Sequence, residues 1–217
     1  MGNTNSAIKG LVSDFAGTSD TCEVVADVSR TWASSYLLPE EEILFALQSI
    51  RHEFSFTGRA LIKLSAKTST TTRKRVERLE YKKYQVKHVM FESTGVVDRD
   101  CKLQFQIGDE EFTLKVLNGK EEKVMRFYKA LILLGQQQEE KEQEWELVKQ
   151  ALATAKDTVR LLNAGSHSLN QQSDETLKWI KIQYEFTHPH CYKALIKRAL
   201  AARRKPKKAG PLLPWKW

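Results

Sequence analysis

Reactive or ligand-binding chemistry in this sequence concentrates at its two ends. At the start, Met1-Gly2-Asn3-Thr4-Asn5-Ser6 matches the M-G-x-x-x-[ST] acceptor pattern for N-myristoylation. Removal of Met1 frees the Gly2 amine, small neighbours let the peptide thread into a transferase, and Ser6 fills the hydroxyl position. The pattern presumes a eukaryotic source. At the other end, nine of the 35 Lys and Arg residues stand from Tyr192 onward with no Asp or Glu among them. The body is close to neutral, so the net charge of +8 belongs to the tail. Arg203, Arg204, Lys205, Lys207 and Lys208 are candidate contacts to anionic lipid, and Trp215 and Trp217 are suited to the headgroup level. One myristoyl chain binds membranes only marginally, with an association constant of about 10⁴ M⁻¹, so such a tail would supply the second signal. A basic strip of this kind also suits nucleic acid, or no ligand beyond solvent.

A third basic group lies mid-chain. Lys63 and Lys67 precede the Thr-rich run Thr68–Thr72, and Arg73, Lys74 and Arg75 follow it. The plain reading is a solvated β-turn, and the functional one is weak contact with anionic lipid. Catalytic patterns are missing: there is no nucleophile elbow, P-loop, HExxH or paired-carboxylate motif. His188-Pro189-His190-Cys191 clusters metal-capable side chains, but neighbours around a proline rarely converge on one ion. Cys22, Cys101 and Cys191 form neither a metal pattern nor an even disulfide framework. The sequence therefore predicts a non-enzymatic protein without cofactor or metal, made in the cytosol without a secretory signal.

Five segments follow from the periodicity. Residues 1–19 read as a flexible, acylated arm. Residues 20–38 carry Val24, Val25, Val28, Trp32 and Tyr36 at helical spacing and predict a short helix closed by Pro39. From 39 to 134, short runs rich in Val, Ile, Phe, Thr and Tyr predict strands at roughly 43–56, 60–65, 76–81, 86–92, 103–107 and 112–117, followed by a helix. Phe54, Phe56, Leu61, Leu103, Phe105, Phe112, Leu114 and Val116 are the predicted core, with Phe127 and Leu131 of the helix closing one end. A polar Gln/Glu run at 136–143 introduces a helical extension over 135–189, with a second apolar stripe at Trp145–Leu162 and a third helix near 174–186. A basic tail, helical to about Arg204, occupies 190–217.

Three stretches carry a family resemblance: Leu38–Leu44, Ile50–Ile62 and Val89–Leu103. They resemble, in order and spacing, the E-x-I/V strand, the I-R-D…F-T-x-R-L turn and the G-x-x-D-x-D-x-x-L hairpin of the bacterial-type pleckstrin-homology (PH) domain family. His52 stands where that family usually has Asp, and a basic Thr-rich turn replaces a Gly-rich one. The resemblance implies an α+β fold: a PH-like antiparallel sandwich, or partly open barrel, capped by a C-terminal helix and followed here by the helical extension. It also implies a binding scaffold. The expected function is a peripheral membrane adaptor, held by myristoyl Gly2 and the basic tail on an anionic membrane surface and engaging an unidentified protein partner. The alternative is a basic-tailed subunit of a ribonucleoprotein or cytoskeletal assembly, with nucleic acid on the tail.

Overall fold

A computed structural model describes residues 21–66, 74–93, 100–117, 119–161 and 169–202, without side chains at 156–161 and 169–172. Eight strands form two antiparallel sheets. The first, in order β1-β2-β3-β4-β5, comprises Glu23–Val24, Ile43–Gln48, His52–Thr57, Ala60–Ala66 and Lys74–Glu80. The second, β6-β7-β8, comprises Val86–Ser93, Cys101–Ile107 and Glu110–Val116. The sandwich is open, and the helix α1 (Glu121–Leu161) packs across β6 and β7.

Alternation explains the strands. In β7 and β8 every second residue is buried, so Leu103, Phe105 and Ile107 meet Phe112, Leu114 and Val116 across one inner face. All eight predicted core residues are buried, as are Phe127 and Leu131 on α1. A run of aromatic contacts joins the layers: Phe127 stacks on Phe45, Phe45 on Phe56, and Phe56 meets Phe105 edge-on.

The run at 43–56 is two strands, because the inward positions change parity between Phe45/Leu47 and Phe54/Phe56, with a reversal at Ser49–Arg51. No α-helix forms at 21–38. Glu23–Val24 is a strand on β2, and two 3₁₀ turns follow at Val28–Arg30 and Trp32–Tyr36. The cause is remote: the buried Glu53 carboxylate accepts hydrogen bonds from the Trp32 and Ala33 amides at 2.6 and 2.9 Å and from the Ser55 hydroxyl at 2.8 Å. That anchor holds the segment against the sheet as a tight turn. Nor does α1 stop at Leu134; it is 41 residues long, about 60 Å, and continues through the polar run. The second helix, α2, spans Leu169–Thr187, and the third, α3, spans Lys193–Ala201 rather than reaching Arg204.

Two contacts set where α1 lies. A Cβ on Gly135 would stand 2.5 Å from the Val86 carbonyl oxygen, so only glycine lets the helix approach β6 this closely. One turn on, the buried Gln138 amide donates to the Tyr81 and Tyr84 carbonyls at 2.7 and 3.0 Å and accepts from the Val86 amide at 2.9 Å. These are the backbone groups of the passage from the first sheet to the second. Alanine at Gly135 would improve helix propensity by about 1 kcal/mol in a free helix. Here Gly135→Ala is expected to destabilise by roughly 1–3 kcal/mol, because the overlap is with backbone. Urea unfolding of the two proteins reads the sign.

A second anchor ties the edge strand to the entrance of the sheet. The Arg78 guanidinium donates to both Glu41 oxygens at 3.0 and 2.8 Å, and the Thr57 hydroxyl donates to one of them at 2.6 Å. The Glu41 side chain is 1% exposed. Burial alone would push its carboxyl up, but hydrogen bonds from Arg78, Thr57 and the Leu38 amide outweigh this and hold it below its usual value of 4.5. A depressed carboxylate contributes stability above pH 4.5 and loses it as pH falls through the lowered value. Arg78→Met leaves the carboxylate buried and unpaired. It should cost about 3 kcal/mol at neutral pH and move the onset of acid unfolding to higher pH, followed by circular dichroism.

Candidate functional site

The sheet presents one end where apolar exposure and positive charge coincide. Between β2 and β3 the Ser49 amide donates to the His52 carbonyl at 2.7 Å, and the Ser49 hydroxyl oxygen accepts from the Arg51 and His52 amides at 3.3 and 2.9 Å. This closed turn presents Ile50, 71% exposed, with exposed Arg51 beside it. The Ala66 amide donates to the Arg51 carbonyl at 2.8 Å, and Ala66 pairs with Lys74. The connection between β4 and β5 therefore starts and finishes at this same end.

The mid-chain basic residues divide here. The Lys74 ammonium lies 4.2 Å from the centroid of the Trp32 ring, which the Glu53 anchor holds in place. Arg75 is 79% exposed while pairing with Glu77. Lys63 is turned elsewhere: 14% exposed, it lies 2.9 Å from Glu77 and 3.1 Å from Glu110 across the sandwich. Burial would lower its ammonium, but hydrogen bonds from Lys63 to Glu77 and Glu110 outweigh this and raise it above 10.5. Lys63 is thus an internal tie between the sheets. Lys67 and Arg73 lie outside the described residues, as do Gly2, Arg203, Arg204, Lys205, Lys207, Lys208, Trp215 and Trp217.

Ile50, Arg51 and Trp32 are the members of this end that sequence reasoning had not grouped with the basic cluster. The parity change between Leu47 and Phe54 marks the turn that carries the first two. Nothing local marks Trp32, because its placement comes from a carboxylate 21 residues away. Among the described residues, His188 and Cys191 included, no group of three or more His, Cys, Asp or Glu could hold an ion. His188 instead stacks on Tyr184 and meets Trp145 edge-on. Among the described residues no helix is long and apolar enough to cross a membrane.

An open sandwich of two antiparallel sheets, closed on one side by the helix that follows the last strand, defines the class of PH-like binding scaffolds. The profile of the bacterial PH domain family matches residues 11–134, over half of the chain, and the chain belongs to that family. It is 30% identical over 132 residues to the uncharacterized protein YvbH of Bacillus subtilis strain 168, across 59% of this chain and 65% of that protein. A PH-domain-containing bacterial protein from Exiguobacterium sibiricum 255-15, known from its crystal structure, superposes with a TM-score of 0.72 at 26% identity. That superposition covers 83% of this chain and 100% of the other, so it extends past the domain into the helical extension.

Replacing Lys63 by Met leaves Glu77 and Glu110 facing each other across a partly buried site. A loss of roughly 1–2 kcal/mol is expected in urea melts, discounted for the exposure of both carboxylates.

Proposed function

We propose that the protein is a non-catalytic binding module whose PH-like domain docks on an anionic membrane surface through the end built by Ile50, Arg51, Trp32, Lys74 and Arg75. The observation that carries this reading is the 71% exposed isoleucine on a hydrogen-bonded turn beside exposed Arg51. A large aliphatic side chain at a rigid turn gains free energy by entering a lipid surface, and flanking cations add ~1 kcal/mol each against an anionic leaflet. Lys67 and Arg73, next in sequence to Ala66 and Lys74, enter the proposal as further cationic candidates. Arg203, Arg204, Lys205, Lys207, Lys208, Trp215 and Trp217 enter the proposal as a second, tail-borne contact.

Myristoylation of Gly2 needs a eukaryotic-type transferase, and the two relatives described above are bacterial. The docking reading therefore stands on the domain alone. An intact-mass measurement of the native protein decides whether an acyl chain adds to it.

The test is co-sedimentation of the full chain with phosphatidylglycerol-containing and with pure phosphatidylcholine vesicles. Ile50→Glu should weaken binding to the anionic vesicles about tenfold, and Arg51→Gln with Arg75→Gln by a similar factor that rising salt abolishes. Lys63→Met should leave binding unchanged. Equal binding by wild type and Ile50→Glu would overturn the assignment of this end.

A further inference from the structure

Beyond Gln138, α1 and α2 leave the sandwich as a two-helix hairpin, and no apolar side chain of that hairpin is buried among the described residues. Trp145, Val148, Leu152 and Ile180 are only partly covered. Trp179, Ile182 and Phe186 recur at i, i+3 and i+7, one stripe of α2, and are 41, 62 and 63% exposed. At the Phe186 end of the stripe α1 lies alongside, with the Lys141 ammonium 3.8 Å from the centroid of the Phe186 ring and 2.6 Å from the Glu144 carboxylate. Glu144 is one of five glutamates between residues 139 and 146, against one lysine. The apolar stripe and an acidic stretch therefore start side by side at the base of the hairpin.

We propose that this composite face holds the chain's own residues 203–217, the cations of 203–208 against the glutamates of α1 and Leu212, Leu213, Trp215 and Trp217 against Ile182 and Trp179. Three arguments select that occupant. The first is charge: residues 203–208 carry five cations and no anion, opposite in sign to the acidic stretch, which would repel an anionic membrane. The second is order. α3 starts at the base of the hairpin, since the Tyr192 ring meets Tyr81 edge-on and Gln138 donates to the Tyr81 carbonyl. A chain that leaves α3 and turns along the hairpin meets the glutamates first and Ile182 and Trp179 further out, the order in which its own cations and aromatic residues come. The third is reach. α3 has nine residues, about 14 Å, so its end stays close to that base. Residues 203–212 can extend over roughly 33 Å, and Pro206, Pro211 and Pro214 suit them to an extended course. A tethered segment meets its site at an effective concentration in the millimolar range, which lets weak contacts hold it. The cations so held are those offered above as a second membrane contact, so anionic lipid competes for them, while docking of the Ile50 end is independent of this.

Paramagnetic broadening of indole signals in the full chain tests the proposal. A nitroxide is placed on Gly210→Cys in a Cys191→Ser background, because Cys191 is exposed while Cys22 and Cys101 are buried. The Trp179 indole signal should lose most of its intensity relative to the reduced label, and the Trp32 signal, at the Ile50 end, none. Ile182→Glu should return the Trp179 signal with an unchanged far-ultraviolet spectrum, since the side chain is largely solvent-facing. Arg203→Gln, Arg204→Gln, Lys205→Gln, Lys207→Gln and Lys208→Gln together, or raised salt on the wild-type tail, should return most of it. A Trp179 signal that the label leaves untouched overturns the proposal. Equal broadening in a mixture where label and isotope sit on different chains overturns it too, and hands the face to a second copy. Broadening that survives both Ile182→Glu and the five exchanges does the same for the contacts named here.

Discussion

The passage of the chain from one sheet to the other depends on Gln138. Residues 81–85 leave the edge of the first sheet, turn, and enter β6; the Tyr81 amide is held by the Arg59 carbonyl and the Gln85 carbonyl by the Gly108 amide, while the Tyr81 and Tyr84 carbonyls turn toward α1. Unpaired amides and carbonyls at such depth cost as much as the hydrogen bonds they lack. A single primary amide, with two donors and an acceptor, satisfies Tyr81, Tyr84 and Val86 together. Its reach is short, so the α1 backbone must come close, and Gly135 one turn earlier is the place where it does. This requirement fixes the line of α1 and hence the direction in which the hairpin departs.

The same end is closed a second time by the returning chain. The Tyr192 amide donates to the Gly58 carbonyl at 2.7 Å, the Tyr192 ring meets Tyr81 edge-on, and Ile196 and Ala199 of α3 are buried in the main core. Lys193 and Lys197 both pair with Glu42 at the start of β2. A Cβ on Gly58 would lie 2.8 Å from Cys191 and from Lys193, which leaves glycine as the residue that admits this return. Closure by helices at the Gly58 end leaves the Ile50 end of the same strands to turns. Turns carry exposed side chains without disturbing a core, so a surface that docks belongs there.

Local pattern was enough for the strands and their inward faces, since alternation in β7 and β8 and the stripe Phe127/Leu131 need no distant partner. It failed where a distant partner decides. Helical spacing at 20–38 was real, but Glu53 takes the Trp32 and Ala33 amides that an α-helix would have bonded to the carbonyls four residues back. Lys63 stood in sequence with the basic cluster read as a weak anionic-lipid contact, yet Glu110, 47 residues on, claims its ammonium. The polar run at 136–143 lacks an apolar stripe, so periodicity alone did not show that the helix after the sheet runs unbroken through it. Gln, Glu and Lys are nonetheless strong helix formers, and Lys141–Glu144 supports the turn. Within that run Gln138 is buried, so the residue on which the fold turns was hidden among residues of its own kind.

The hairpin shows what the fold leaves unfinished. A helix 41 residues long could be ended at Gln138 without loss to the sandwich, since every core residue of α1 precedes it. The chain beyond has to recover the ordering cost of more than forty residues, and two helices meeting through half-covered side chains recover little of it. Trp145 with Tyr184 and His188 supplies one aromatic contact cluster near the base, and nothing comparable among the described residues covers Trp179 and Ile182 further out. Such an element persists in water when something covers its open face. The hairpin leaves at the Gly58 end and so keeps clear of the Ile50 end of the same strands.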